Sequence, residues 1–303
     1  MTIIQLEYFL AVVNYGTFST AAKNCFVTQP SLSTQISNLE DELGVLLLNR
    51  NSKPIAPTEV GAMVLEQAKE AIASFYSIKE KLNDLRGDLS GRLRLGVIPT
   101  ISPFLMPKFI PEFIKRCPHV ELDIRDMFTA DIIDALSRDM IDIAILSGGY
   151  QIQIQETKLF NDRLYFYVSP RNELFNRKEI VLEEVDLKQL LLLSEGYFVR
   201  HQVMKQLNVL RNKIKLPFNF VNCSLETLMH MVDVSAAITI IPGMSIDYIP
   251  EWKRKHIKPF GKADVYRKIS MAVGHTYVKE SLVNAVKESV KAVSKMGVAE
   301  FLL

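Results

Sequence analysis

The sequence predicts a mixed fold: an all-α N-terminal domain built on a helix-turn-helix with a wing, followed by an α/β region in two lobes. Three observations carry this. Residues 17–43 read as two short helices joined by a tight bend, and residues 59–87 read as one long helix. From Arg92 onward, strand-like and helix-like segments alternate, which predicts a parallel sheet with helices on both faces. A chain of 303 residues with 48% hydrophobic content is long enough for two or three domains with sizeable cores.

Taken in order, Ile4, Tyr8, Leu10, Ala11 and Val12 predict a first helix over 4–15, ending near Gly16. Thr28 is a good N-cap for the second half of the helix pair, and Pro30 is tolerated in a first helical turn. Leu32, Ile36, Leu39 and Leu43 then fall on one stripe of a helix. The opposite side carries Thr34 and Ser37, flanked by Ser31, Ser33 and Asn38, with almost no charge. A solvated face is usually rich in Lys and Glu, so this one fits a partner. Short polar side chains let a helix lie deep in the DNA major groove, and the free N–H groups at its start suit a phosphate. The expected DNA-contacting residues are therefore Thr28, Gln29, Pro30, Ser31, Ser33, Thr34 and Ser37. The segment 45–58 predicts a two-stranded wing that carries Arg50 and Lys53 to the DNA backbone. Residues 1–58 hold three cations against four carboxylates, an unusual balance for a nucleic-acid domain, so helix dipoles and hydroxyls must supply much of the phosphate contact.

Val64, Ala68, Ala71, Phe75, Ile78, Leu82 and Leu85 are spaced alternately by four and three, a heptad seam. Thr58 caps the helix and Glu59 suits its positive end. The rod would be about 43 Å long at 1.5 Å per residue, and its narrow seam predicts a homodimer. Gly87 to Gly91 breaks it.

Beyond Arg92, strands are expected at 92–98, 120–125, 141–146, 163–168, 191–194, 218–222, 237–241 and 267–273, and helices at 103–116, 129–139, 199–212, 224–234 and 279–297. Ligands of such folds bind at the carboxyl ends of strands. Thr100, Ser102, Thr129 and Ser147 stand there, with Ser102-Pro103 read as an N-cap followed by Pro at N1 and Ser224 as a further cap. A cleft between the lobes is the expected effector site.

Other chemistries find little support. The five His residues show no HExxH or HxH spacing, and there is no G-x-S-x-G, Walker loop or G-x-G-x-x-G. No catalytic residue, metal or cofactor is expected, and the chain does not read as an enzyme. Three widely spaced cysteines fit a reducing cytosol. No apolar run is long enough to span a membrane and no signal peptide is read, which predicts a cytoplasmic protein without a membrane partner.

The run Leu6-Glu7-Tyr8-Phe9, Phe18 to Ala22, Thr28 to Ser33, Ile36, Leu39-Glu40, Leu43-Gly44, Arg50 and Thr58-x-x-Gly61 resembles the LysR-type transcriptional regulators. The resemblance covers the whole chain and implies a winged helix-turn-helix domain (1–58), a dimerising linker helix (59–87) and a two-lobed, periplasmic-binding-protein-like effector domain (92–303). Lobe I would span about 92–161 and 267–303, and lobe II about 162–266. Leu47 stands where the family commonly has Phe, and Ala56-Pro57 where a large apolar residue is usual.

Within that family the chain most resembles the hydrogen-peroxide-inducible, OxyR-type activators, through Leu39 to Val45, Leu95 to Thr100, Leu105-Met106-Pro107, Glu195-Gly196, Arg200-x-Gln202 and Ser224 to Leu228. The resemblance places a peroxide-reactive cysteine at 198 and a resolving cysteine at 207, but this chain has Phe198 and Leu207, neither of which can be oxidised to a sulfenic acid or close a disulfide. The His usual at Tyr197 is also replaced. Thr100, Thr129 and Arg267 match the subfamily's ligand-binding positions, so the expected effector site comprises Thr100, Ser102, Thr129, Ser147, Tyr197, Phe198, Arg200 and Arg267. The implied function is an OxyR-like regulator that binds double-stranded promoter DNA as a dimer or tetramer, responds to a small-molecule effector and works with RNA polymerase. One alternative is a thiol-based oxidative-stress regulator using Cys223, beside a helix N-terminus that could lower its pKa. Another is a metabolite-binding α/β protein tethered constitutively to DNA.

Overall fold

The computed structural model describes residues 1–85, 89–148, 155–193, 224–262, 264–274 and 280–294. The N-terminal headpiece begins with α1 (Ile3–Tyr15), whose capping box pairs Thr2 with Gln5. Its C-cap, Gly16, has φ 71°, and a side chain there would also strike Pro54 of the wing. Next come α2 (Phe18–Asn24) and α3 (Gln29–Leu43), each capped by a threonine, Thr17 or Thr28, that accepts from the third backbone N–H beyond it. Strands β1 (Leu48–Asn49) and β2 (Ala56–Pro57) pair antiparallel as the wing. The core joins Phe9, Val12, Leu32, Ile36, Leu39 and Leu47. Leu43 ends the expected stripe at 37% exposed, because α3 stops at Gly44, and the charged Glu40 is buried in its stead.

Helix α4 (Glu59–Leu85) follows at once. It starts at Gly61's closest approach, where a Cβ would overlap the Leu47 carbonyl. Two apolar faces emerge on it rather than the single expected seam. Leu65, Ala68 and Ile72 are buried against the headpiece, and Tyr76 donates a hydrogen bond to Glu7 of α1. Phe75 (52%) and Ile78 (63%) stay exposed, as do Val60 and Met63. Ala68 therefore belongs to the intramolecular face, a division that depends on how α1 lies across the rod. The side chains of Leu82 and Leu85 lie outside the described residues.

The remainder is an eight-stranded sheet built from β3 (Ser90–Val97), β4 (His119–Asp126), β5 (Ile143–Ser147), β6 (Gln155–Val168), β7 (Leu190–Leu191), β8 (Ile238–Pro242), β9 (Ile257–Lys258) and β10 (Tyr266–Val273). Its order is β4-β3-β5-β10-β6-β8-β7, with β9 also on β6. The sheet is mixed, which corrects the expected all-parallel arrangement. β3 runs parallel to β4 and β5, and β7 to β8, but β10 and β6 are antiparallel to their neighbours. These two strands carry the chain between the lobes in opposite directions. β6 pairs with β10 through Arg163 and passes to β8 from Leu164. Its first half, rich in Glu156, Lys158, Asn161 and Asp162, has no strand-like alternation, so only the pairing reveals it. The expected strand 218–222 and helix 199–212 lie outside the described residues.

Helices α5 (Ser102–Arg116), α6 (Thr129–Ser137) and α8 (Glu280–Ser294) belong to lobe I, where Phe109 and Phe113 stack at 5.3 Å over Leu95, Ile145 and Val286. The lobe II core gathers Phe166, Ile180, Ile240 and Phe260 on one side, and Tyr167, Ile241 and α7 (Leu225–Val234) on the other. Among the described residues, no helix is long and apolar enough to cross a membrane.

Candidate nucleic-acid interface and effector cleft

On α3, Leu32, Ile36 and Leu39 have no exposed surface, whereas Ser31, Thr34 and Asn38 form an exposed ridge on the other side. Thr28, Gln29 and Pro30 are exposed at the start of the helix, and Ser33 and Ser37 are half-buried along the flanks. The Thr28 hydroxyl accepts from Ser31 N–H at 3.3 Å, and the Thr34 hydroxyl donates to the Pro30 carbonyl at 2.9 Å, leaving Thr34's lone pairs outward.

The wing is fastened to this helix by a group that sequence reasoning missed. The Glu40 side chain is 3% exposed. One oxygen, Oε1, accepts from Leu47 N–H at 2.8 Å and Leu48 N–H at 3.2 Å. The other, Oε2, pairs with Arg50 Nη2 at 2.7 Å. Arg50 also donates to Ser37 at 3.4 Å and lies over the Phe18 ring. Arg50 is thus first a brace between α3 and the wing, with its half-exposed guanidinium turned along the α3 flank. Lys53 is exposed at the wing turn. No local pattern marks Glu40 as buried; its position on the α3 surface next to the apolar stripe reads as a solvated carboxylate.

Between the lobes the structure brings Thr100 and Arg267 together. Arg267, on β10, and Asp162, on β6, are both fully buried and pair at 2.8 Å. Arg267 Nη1 donates to the Thr100 hydroxyl at 2.9 Å, and Nη2 to the Thr100 carbonyl at 3.1 Å and the Met244 sulfur at 3.3 Å. The other Asp162 oxygen accepts from Met244 N–H at 3.1 Å. Burial pushes the Asp162 carboxyl above the usual range, while Arg267 and the Met244 and Gly243 N–H groups pull it down. A guanidinium stays charged in a protein, so its burial requires this partner. Arg267 thereby ties the end of β3 in lobe I to both crossing strands and to the turn after β8.

Thr129 is buried at the start of α6, and Ser147 is buried on β5, where it pairs opposite Ile269, two residues from Arg267 on the same sheet face. Its hydroxyl, like that of Ser270, has no hydrogen-bond partner among the described residues. Ser102 is half-buried and is the first residue of α5; Ile101 is the cap and uses no side chain, which corrects the expected Ser102 cap. Ser224 does cap α7, accepting from Thr227 N–H at 3.1 Å. Tyr197, Phe198, Arg200, Leu207 and Cys223 lie outside the described residues. Burial raises the thiol pKa of both Cys25 and Cys117, with Glu7 adding to the effect at Cys25, so neither is an activated thiolate.

Against known proteins, residues 3–62 match the bacterial regulatory helix-turn-helix protein, lysR family, and residues 86–295 match the LysR substrate binding domain. The chain is 32% identical over 247 residues to the hydrogen peroxide-inducible genes activator of Pectobacterium carotovorum, covering 81% of each. It is 31% identical over 255 residues to the DNA-binding transcriptional dual regulator OxyR of Escherichia coli, covering 84% of this chain and 82% of that one. Among solved structures it resembles a full-length OxyR variant from Pseudomonas aeruginosa, with a TM-score of 0.77, 27% identity and coverage of 96% and 95%. With both family models matched and the fold shared with that solved structure, the chain belongs to the LysR family of transcriptional regulators.

Proposed function

We propose that this OxyR-like regulator reads promoter DNA with the exposed α3 ridge, works as a homodimer joined along the open face of α4 and assembles further into a homotetramer. The single observation that carries the reading is the contrast across α3. One side is closed core, and the other presents Ser31, Thr34 and Asn38 with no charge among them. Domain limits of 1–58, 59–87 and 92–303 fit this division of labour, as does a cytoplasmic site of action alongside RNA polymerase. The α/β half binds an effector between its lobes and performs no catalysis.

The relatives' names point to hydrogen peroxide as the signal. Phe198 and Leu207 argue against a disulfide switch here, and the two described thiols are raised rather than activated. We therefore assign the effector cleft to a different small molecule. Selective capture of genomic fragments by the purified chain, repeated with and without peroxide, tests both parts. Enrichment of specific fragments, lost in Ser31→Ala/Thr34→Ala and indifferent to peroxide, is expected. Unselective capture would end the first part, and stoichiometric oxidation of Cys223 coupled to altered capture would end the second.

A further inference from the structure

Phe26 sits in the turn between α2 and α3 with φ 57°. Its side chain is 95% exposed, the highest among the exposed large apolar residues described. The turn itself explains the backbone. The Phe26 N–H donates to the Lys23 carbonyl at 3.3 Å, and the Val27 N–H to the Ala22 carbonyl at 3.0 Å, so the chain must reverse in a left-handed conformation. Glycine or asparagine enters that region readily, whereas a bulky aromatic is strained in it. The neighbours Cys25 and Val27 pack against the headpiece core, but the Phe26 ring covers nothing. The chain thus accepts backbone strain and exposed apolar surface at one position, with no return in folding. Strain of this kind is kept where function uses the side chain.

Only Val27 separates Phe26 from Thr28, the cap of the recognition helix, and Thr28, Gln29, Pro30 and Ser31 continue the exposed surface. Residues at the start of such a helix are the ones that enter the major groove. The headpiece is also poor in free cations, because Arg50 is engaged by Glu40 and residues 1–58 carry more carboxylates than cations. Little of its DNA affinity can come from releasing counterions, which raises the weight of non-ionic contacts. Resting on the reading of α3 as the DNA-reading helix, we propose that Phe26 is a further DNA contact. Its ring packs on the groove wall, against deoxyribose and thymine methyl groups, beside the hydroxyl ridge.

The test uses the full-length protein and a duplex that the unaltered protein selects from genomic fragments, titrated across a salt series, with the thermal midpoint read in parallel. Phe26→Asn and Phe26→Gly should keep or raise the midpoint, since both residues suit φ 57°. Each should weaken binding about tenfold at every salt concentration, with the salt slope unchanged. Affinity within twofold of the unaltered protein overturns the proposal, as does a shallower slope, which would mean that the loss comes from cation–phosphate contacts elsewhere. Retained DNA affinity with lost promoter output overturns it in favour of a protein partner. Ser31→Ala/Thr34→Ala serves as the separate control: normal binding there would sink the recognition-helix reading, whatever Phe26 does.

Discussion

Replacing Asp162 by Asn tests whether Arg267 is a structural clamp or an effector ligand waiting to be engaged. The substitution keeps the size of the side chain and removes its charge. Arg267 then remains charged with no exposed surface and no anionic partner, left with Thr100, Met244 and one neutral amide oxygen as acceptors. Leaving one member of a buried ion pair alone costs about 3–5 kcal/mol. At roughly 2–4 °C per kcal/mol for a unit of this size, the effector domain should lose about 6–20 °C in its midpoint. Unfolding can be followed by circular dichroism and by the chain's single tryptophan, Trp252, which lies in lobe II. The double variant Asp162→Leu/Arg267→Met removes both charges and should regain most of the loss, because apolar replacement of a buried pair is often close to neutral. A shift below about 2 °C for Asp162→Asn would refute the reasoning. It would mean that the guanidinium reaches water or another anion, and that Arg267 is free to serve a ligand.

Two further outcomes follow from other buried polar groups. Glu40→Ala removes the acceptor for Leu47 and Leu48 N–H and frees Arg50, so it should destabilise the headpiece by about 3 kcal/mol, given that hydrogen bonds to a charged group are worth about 1.5–3 kcal/mol each. Hydrogen exchange should locate the loosening in 45–58, and protection there equal to the unaltered protein would contradict the brace. His256 is buried, its Nδ1–H donating to the Val168 carbonyl at 3.0 Å and its ring stacked on Tyr167. Burial lowers its pKa below 6.5, with Lys255 and Lys253 in the same sense and the Val168 contact and Asp233 against. The unfolded chain therefore takes up this proton before the folded one does. The His256 contribution is complete above the unfolded value of about 6.5 and declines as pH falls below it. Urea unfolding across pH 5–8 should show that slope, and His256→Asn should remove it; an unchanged slope in the variant would assign it elsewhere.

Much of the headpiece was legible because its signals are local. Thr28 caps, Leu32, Ile36 and Leu39 repeat at helical spacing, and Gly16 and Gly44 stop their helices; each acts within a turn or two of chain. The regular lobe strands were legible for the same reason: β5 and β8 are short apolar runs, and β3 and β10 alternate, at Leu93, Leu95 and Val97 and at Ile269, Met271 and Val273. The first half of β6 escaped notice because its residues are polar, and the ladder with β10 makes it a strand. On α4 the seam positions Ala68, Phe75 and Ile78 were legible, but not that Leu65 and Ile72 form a second face with Ala68 against the headpiece.

By itself, then, the order of residues determined the helix-turn-helix, the long rod and the alternation of strands and helices in the lobes, all of which rest on near-neighbour propensity, caps and side-chain identity. Tertiary structure alone decided that Glu40 holds the wing, that Arg267 meets an aspartate distant in sequence and that Phe26 is left uncovered. The physical reason is desolvation. Whether a charge or a ring keeps its water depends on which distant segments close over it, and that is set by the packing of the whole chain.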